Sequence, residues 1–239
     1  MFLELRAGFL GFFYRFPRFL LFCQSLRIFT GNYNKQAFRM IVKIYPQNPN
    51  QKVIDQVVSV LENDGVIVYP TDTVYAFGCS LKSPKAIEKL KSIRHKEGEM
   101  SIVCSDLSHI ADYAKVETPV FKVLKRNLPG PFTFILKASG KVPDKFLEKR
   151  KNVGVRIPEN EIPLKIVECL GNPLVTASVR DEDEVIEYTT DPELIHEKYG
   201  KQVDLVLDGG FGNNEASTVV DCTGEEIGIL REGLGELVL

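Results

Sequence analysis

Six short stretches of this chain carry side chains suited to holding anions or polar groups. In YPTDTVYAFG (69–78), Thr71, Asp72 and Thr73 follow a run of apolar residues. Hydroxyls on a loop beyond a strand end can bind a polar ligand, because α/β sheets place their sites there. An Asx-type turn, with Asp72 bonding nearby backbone, would use the same residues. IRHKEGE (93–99) sets Arg94 and Lys96 two apart at a helix end. Such a pair can clamp phosphates, and bases at a helix C-terminus also face the macrodipole favourably. Arg156 stands inside the apolar strand VGVRIP (153–158), where a charge is costly unless it is paired or faces a cleft. PLVTASVR (173–180) ends in Ser178 and Arg180, STVVDC (217–222) offers Ser217 and Thr218, and GILRE (228–232) offers Arg231. Neither GxxxxGK[ST] nor GxGxxG occurs, so a P-loop or a Rossmann site is unsupported. His95, His109 and His196 sit among charged residues without metal-ligand spacing, and no Ser-His-Asp or Cys-His arrangement stands out.

The elements that must position these residues alternate between strand and helix. IVKIY (41–45), VIVYP (66–70), SIVC (101–104), FTFILKA (132–138), VGVRIP and PLVTA (173–177) read as strands. VDLVLDGG (203–210), STVVDC and EIGILRE (226–232) read as closing strands. QKVIDQVVSVLEND (51–64) has a helical stripe at 53, 54, 57, 58 and 61, with Asn50 to cap it and Gly65 to end it. Ser83–Pro84, Thr118–Pro119 and Asp191–Pro192 each look like an N-cap followed by proline at the first helical position. Asp106 can cap a short helix, and Gly171 can end one over 162–170. The pattern predicts one α/β domain around a mixed sheet.

Composition limits the remaining choices. The chain has 239 residues, 44% hydrophobic and 26% charged, enough to bury a full core without disulfides or metal. Its five cysteines are widely spaced with no CxxC pair, which disfavours zinc and a disulfide framework and suits a cytosolic setting. Residues 1–39 hold six bases and one acid, a net of +5; the whole chain carries −2, so residues 40–239 carry −7. Arg6, Arg15 and Arg18 interrupt the apolar N-terminal text before it reaches the ~20 residues that span a bilayer. We divide the chain into a basic, apolar extension (1–39) and a domain (40–239) with no membrane segment. The extension reads either as a targeting segment or as a gene start placed too early, since Met40 leads directly into a strand.

Taken in order, YPTDTVYAFG, LPGPFTFILKA, VGVRIP, NPLVTAS, VDLVLDGG, STVVD and ILREG resemble the YrdC-like family, the threonylcarbamoyl-AMP synthases. The likeness covers roughly 45–235 and is nearest the single-domain YciO-like branch. It implies a YrdC-like fold: a single-domain twisted mixed sheet with flanking helices and a concave cavity. It implies the joining of L-threonine, bicarbonate and ATP into threonylcarbamoyl-AMP, for threonylcarbamoyladenosine formation on tRNA. A carbamate made from threonine and bicarbonate would attack the α-phosphate of ATP. Mg2+ would ride on the triphosphate, with no protein-bound metal. By motif, Thr71, Thr73, Arg156 and Ser217 would serve the threonine site. Arg94, Lys96, Ser178, Arg180 and Arg231 would serve the nucleotide, with Arg94, Lys96 and Ser178 nearest the catalytic step.

The likeness has two departures. The family's Lys-x-Arg is here Arg94-His95-Lys96, and its Ser-x-Asn is Ser178-Val179-Arg180. Arginine offers only donors and a full charge where asparagine offers a donor and an acceptor. Both departures fall on the nucleotide side. They leave two alternatives: a hydrolase of threonylcarbamoyl-AMP using the same pocket, and a non-catalytic factor binding tRNA or double-stranded RNA. Lys122, Lys125, Arg126, Lys149, Arg150 and Lys151 are candidates for an RNA surface, or form an ordinary solvated face; the acidic body weighs against strong nonspecific binding.

Overall fold

The computed structural model describes residues 40–94, 100–179 and 187–239; the extension, Lys96 and Arg180 lie outside the described residues. The strands are β1 (Met40–Lys43), β2 (Val66–Tyr69), β3 (Ala76–Ser80), β4 (Ser101–Val103), β5 (Ala114–Lys115), β6 (Phe132–Ala138), β7 (Asn152–Arg156), β8 (Leu174–Ser178), β9 (Leu205–Asp208), β10 (Thr218–Asp221) and β11 (Gly228–Arg231). The helices are α1 (Gln51–Glu62), α2 (Pro84–Arg94), α3 (Leu107–Tyr113), α4 (Thr118–Asn127), α5 (Asp144–Leu147), α6 (Glu161–Leu170), α7 (Glu187–Thr190) and α8 (Pro192–Tyr199).

All the strands join one mixed sheet in the order β1-β9-β2-β3-β8-β4-β7-β6-β10-β11, with β5 paired to the end of β6. The fold is a mixed α/β domain with a twisted sheet and flanking helices. No helix among the described residues is long and apolar enough to cross a membrane.

Local chemistry sets most helix ends. Asn50, Asp106 and Asp191 each accept a backbone N–H of their own first turn, and Ser83 accepts from Ala86. Asn160 caps α6, and Gly171 closes it at φ 66°, a conformation only glycine adopts without strain. The expected Thr118 cap is absent: Thr118 is already helical, and Glu117 holds the cap position without a side-chain bond. Two strands have no counterpart in the sequence reading, the two-residue β5 and the longer β3. AFGCS, which forms β3, is buried along its whole length, so it lacks the alternation that marks a half-exposed strand.

The sheet's two faces are covered differently. Side chains alternate along each strand. One parity holds Phe77, Ile102, Phe134, Val155, Val175 and Val220, which pack with Ile87 and Leu90 of α2, Ile110 of α3, Leu124 of α4 and Ile195 of α8. The other parity is covered only at one end. There Ile67, Tyr69, Ala76, Val103, Leu174 and Leu207 pack beneath Ile54, Val57 and Leu61 of α1 and Ile162, Ile166 and Val167 of α6. Beyond these two helices the same face turns polar and forms a cavity.

Candidate functional site

Small and hydroxylic side chains floor this cavity because of strand register. Ser101 on β4 aligns with Gly154 on β7 and with Thr176 on β8. Gly154 aligns with Ile135 on β6, and Thr133 with Val219 on β10. All these positions share one parity. With Arg94, Arg156, Ser178, Ser217 and Arg231 they enclose a volume of about 180 Å³. Gly154 keeps the floor low, since a Cβ there would stand 3.0 Å from Ser101 Cβ and 3.3 Å from Thr133 Cγ2.

Arg156 ends β7 with its side chain only 5% exposed. Its Nη2 donates to Asp72 Oδ1 at 3.0 Å and to Thr73 Oγ1 at 3.0 Å. Asp72 Oδ2 accepts from the Glu159 N–H at 3.1 Å, so both carboxylate oxygens are used. Behind them Thr71 Oγ1 accepts from Thr73 N and donates to the Val74 carbonyl, with Thr73 Oγ1 at 3.1 Å. Thr71's proton is committed to Val74, so Thr73 donates to Thr71 and accepts from Arg156. Arg156 Nε, by contrast, is buried without a partner among the described residues. A buried donor on a full cation costs stability until an acceptor arrives. Arg156 itself lines the cavity.

The opposite wall is tied to the C-terminal strands. Thr133 Oγ1 and Ser217 Oγ stand 2.9 Å apart. Arg231 Nη2 donates to the Ser217 carbonyl at 2.6 Å and lies 3.4 Å from its hydroxyl. Thr218, facing away from the cavity, donates to the Gly235 carbonyl and accepts from the N–H groups of Gly233 and Gly235. That hub fastens the segment following Arg231. On the far side, Tyr75 Oη donates to the Gly210 carbonyl and accepts from Gly209 N, and burial pushes its phenol up to about 12. Tyr75 thereby pins the 209–217 loop that delivers Ser217.

The structure brings five of the candidate residues, Arg94, Arg156, Ser178, Ser217 and Arg231, to one cavity. Thr71 and Thr73 stand behind Arg156, in hydrogen-bond contact with each other and, through Thr73, with the guanidinium. Lys96 and Arg180 lie outside the described residues, two positions beyond the cavity-lining Arg94 and Ser178. Asp72, Ser101, Thr133, Gly154 and Thr176 were not singled out as site residues. Alternation of small and large residues in FTFIL and VGVR was the available signal for Thr133 and Gly154; nothing local marks Asp72 as the partner of a residue 84 positions away. Of the basic residues considered for RNA, Arg126 bonds the Leu239 carbonyl, and Arg150 those of Phe146 and Leu147.

A twisted mixed sheet, half covered by helices and otherwise floored by hydroxyls beside three arginines, defines the class: a mixed α/β domain with a polar cavity on one sheet face. The profile of the Sua5/YciO/YrdC family, described as telomere recombination, matches residues 59–233. The chain belongs to this family. It is 40% identical over 198 residues to the uncharacterized protein YciO of Escherichia coli strain K12, spanning 81% of this chain and 95% of YciO. The crystal structure of E. coli YciO superposes with a TM-score of 0.77, over 82% of this chain and 97% of that one. A threonylcarbamoyl-AMP synthase of Vibrio vulnificus is 26% identical over 186 residues, 75% of this chain and 98% of the synthase. P. abyssi Sua5, crystallised with L-threonine, shares the fold at a TM-score of 0.72 and 23% identity, over 81% of this chain and 57% of Sua5. The family therefore includes threonylcarbamoyl-AMP synthases.

Proposed function

We propose that this protein binds L-threonine and ATP in the cavity and joins them with bicarbonate as threonylcarbamoyl-AMP. The observation that carries the reading is Arg156, buried beside a hydroxyl-lined cavity with its Nε unpartnered among the described residues. A guanidinium already fixed by Asp72 and Thr73 is preorganised to take a carboxylate with little loss of side-chain freedom. Arg94, Ser178 and Arg231 bring donors to the same space for the phosphates. The chemistry asks for no covalent nucleophile. It asks that a carbamate oxygen be aligned with the α-phosphorus and that charge on the phosphate be neutralised as it builds. The pyrophosphate leaves with its magnesium, which the triphosphate brings with it.

The test is incubation of the full chain with ATP, L-threonine and bicarbonate, following pyrophosphate and threonylcarbamoyl-AMP. Product that depends on all three substrates and is lost in Arg156→Met supports the reading. A folded protein that gives no product overturns it. Adding preformed threonylcarbamoyl-AMP to the same preparation then tests whether the cavity hydrolyses it instead.

A further inference from the structure

Arg231 reaches the cavity from β11, the last strand in the sheet order. Among the described strands β11 pairs only with β10, through a register break between Val219 and Val220. It buries little, since Ile229 and Leu230 are 48% and 62% exposed. A short edge strand without a buried face is weakly held by its own packing. The residues that follow it supply the hold. They form a strap, 232–239, that runs back across the ends of β10 and β6, where Thr218 aligns with Phe132. Gly233 lies flush on the backbone leading into β10: a Cβ there would stand 2.3 Å from the Ala216 carbonyl oxygen. The same Cβ would stand 2.9 Å from the Ser217 carbonyl oxygen, the one that Arg231 grips. Leu234 N donates to the Ala216 carbonyl at 2.9 Å. Gly235 lies against the Phe132 ring, whose Cζ would be 2.6 Å from a Cβ, and Leu237 packs on the core.

The strap ends on Asn127, the last residue of α4, which is 7% exposed. Asn127 Oδ1 accepts from Val238 N at 2.9 Å, and its Nδ2 donates to the Val238 carbonyl at 2.7 Å and to the Val123 carbonyl at 2.8 Å. The carboxamide meets Val238 as a neighbouring strand would, with one donor and one acceptor, and its other N–H serves the helix end. Arg126 beside it donates to the Leu239 carbonyl. The Val238 side chain is 55% exposed, so Asn127 holds the backbone at that position. We propose that Asn127 is a positioning residue for the cavity. By holding Val238 it fastens the strap, and the strap holds β11 so that Arg231 stays against Ser217, in place for a phosphate oxygen. The inference rests on the functional reading given above and adds to it a residue outside the cavity.

The experiment uses the full chain. Val238→Pro deletes the N–H given to Asn127 and disturbs no buried side chain. Asn127→Asp keeps the side-chain shape but removes both donors. Val238→Ala keeps the bonded backbone and should match wild type in every reading. In the first two variants, hydrogen exchange of the 228–239 amides should rise. Their affinity for ATP, read by calorimetric titration, should fall about threefold to tenfold, the size of effect expected when one hydrogen bond's hold is lost. Affinity for L-threonine should stay near wild type. In an Arg231→Met background the same changes should cost no further ATP affinity, a dependence that a merely structural loss would not show. Unchanged exchange, unchanged ATP affinity in a strap shown to be released, equal losses for ATP and threonine, or a further loss in Arg231→Met each overturn the inference alone. A wild-type protein that does not bind ATP overturns the functional reading, and this inference with it.

Discussion

Removing the Asp72 carboxylate tests the central geometry most directly. Asp72 and Arg156 are 8% and 5% exposed at the side chain, and their contact is 3.0 Å. Asp72→Ala leaves a buried guanidinium without its counter-charge. Breaking a buried pair from one side costs about 3–5 kcal/mol, because the remaining charge is uncompensated. The Glu159 N–H also loses its acceptor, but that residue is exposed, so water replaces the bond at small cost. For a domain of this size, a loss of that order lowers Tm by about 6–20 °C. Arg156→Met should cost a similar amount by stranding Asp72. The double change Asp72→Ala/Arg156→Met should cost much less than the sum, since neither charge is left alone.

Chemical denaturation of the four proteins gives the coupling free energy directly. We expect a coupling of about 2 kcal/mol or more with m-values unchanged. Single variants that each lose less than about 1 kcal/mol, and add without coupling, would refute the view that this pair is a buried, mutually dependent unit. Threonine uptake separates the roles further. Asp72→Asn keeps a side chain of the same shape but removes the charge that fixes Arg156. It should weaken threonine binding while remaining folded.

Three further outcomes follow from particular contacts. Gly154→Ala should place a methyl 3.0 Å from Ser101 Cβ on the cavity floor, costing about 1–3 kcal/mol by overpacking and weakening ligand uptake; calorimetry and a melting curve read both. Thr218→Val should release the Gly233–Gly235 segment and loosen Arg231 against Ser217, at a cost of about 1–3 kcal/mol, seen in urea denaturation and in a raised KM for ATP. Burial holds the His109 imidazole below its ordinary range, and its Nδ1 accepts from Ser105 N. The unfolded chain therefore binds the proton more readily, and the stability tied to neutral His109 is complete above about pH 6.5 and lost as pH falls below it. The urea midpoint should drop between pH 7.5 and 5.5, and less so in His109→Gln.

Much of the fold was legible because alternation and capping are local. In FTFIL, VGVR and LVTAS the apolar parity forms the core and the small or polar parity forms the cavity floor, so the sequence already separates the two faces. Asn50, Asp106 and Asp191 cap helices because each places an oxygen beside an N–H two or three residues on. Thr118 fails as a cap although it precedes a proline, because the helix starts one residue earlier. β3 was illegible for a different reason: a strand buried on both faces shows no period, and Gly78 within it reads as a loop signal. Arg156 could be read as paired or as facing a cleft, and it does both. The contact of Asp72 with Arg156 depends on strands brought together by sheet order, which no local pattern reports.

The same geometry locates what separates this chain from the synthases it resembles. Arg156, with Thr73 and Asp72 behind it, is assembled on regular strands and a pinned loop. The departures are the exchanged pair Arg94 and Lys96, and Arg180; Arg94 lines the cavity, while Lys96 and Arg180 follow Arg94 and Ser178 by two positions in the sequence. Of the exchanged bases, Arg94 therefore lies on the cavity wall, whereas the residues of the Arg156 cluster match the family pattern. If Arg180 in place of asparagine limits adenylation, Arg180→Asn should raise the rate of threonine-dependent pyrophosphate release while leaving threonine affinity unchanged. A fall in that rate would show that Arg180 is itself a phosphate ligand, and would overturn the assignment of the departure as the limiting feature.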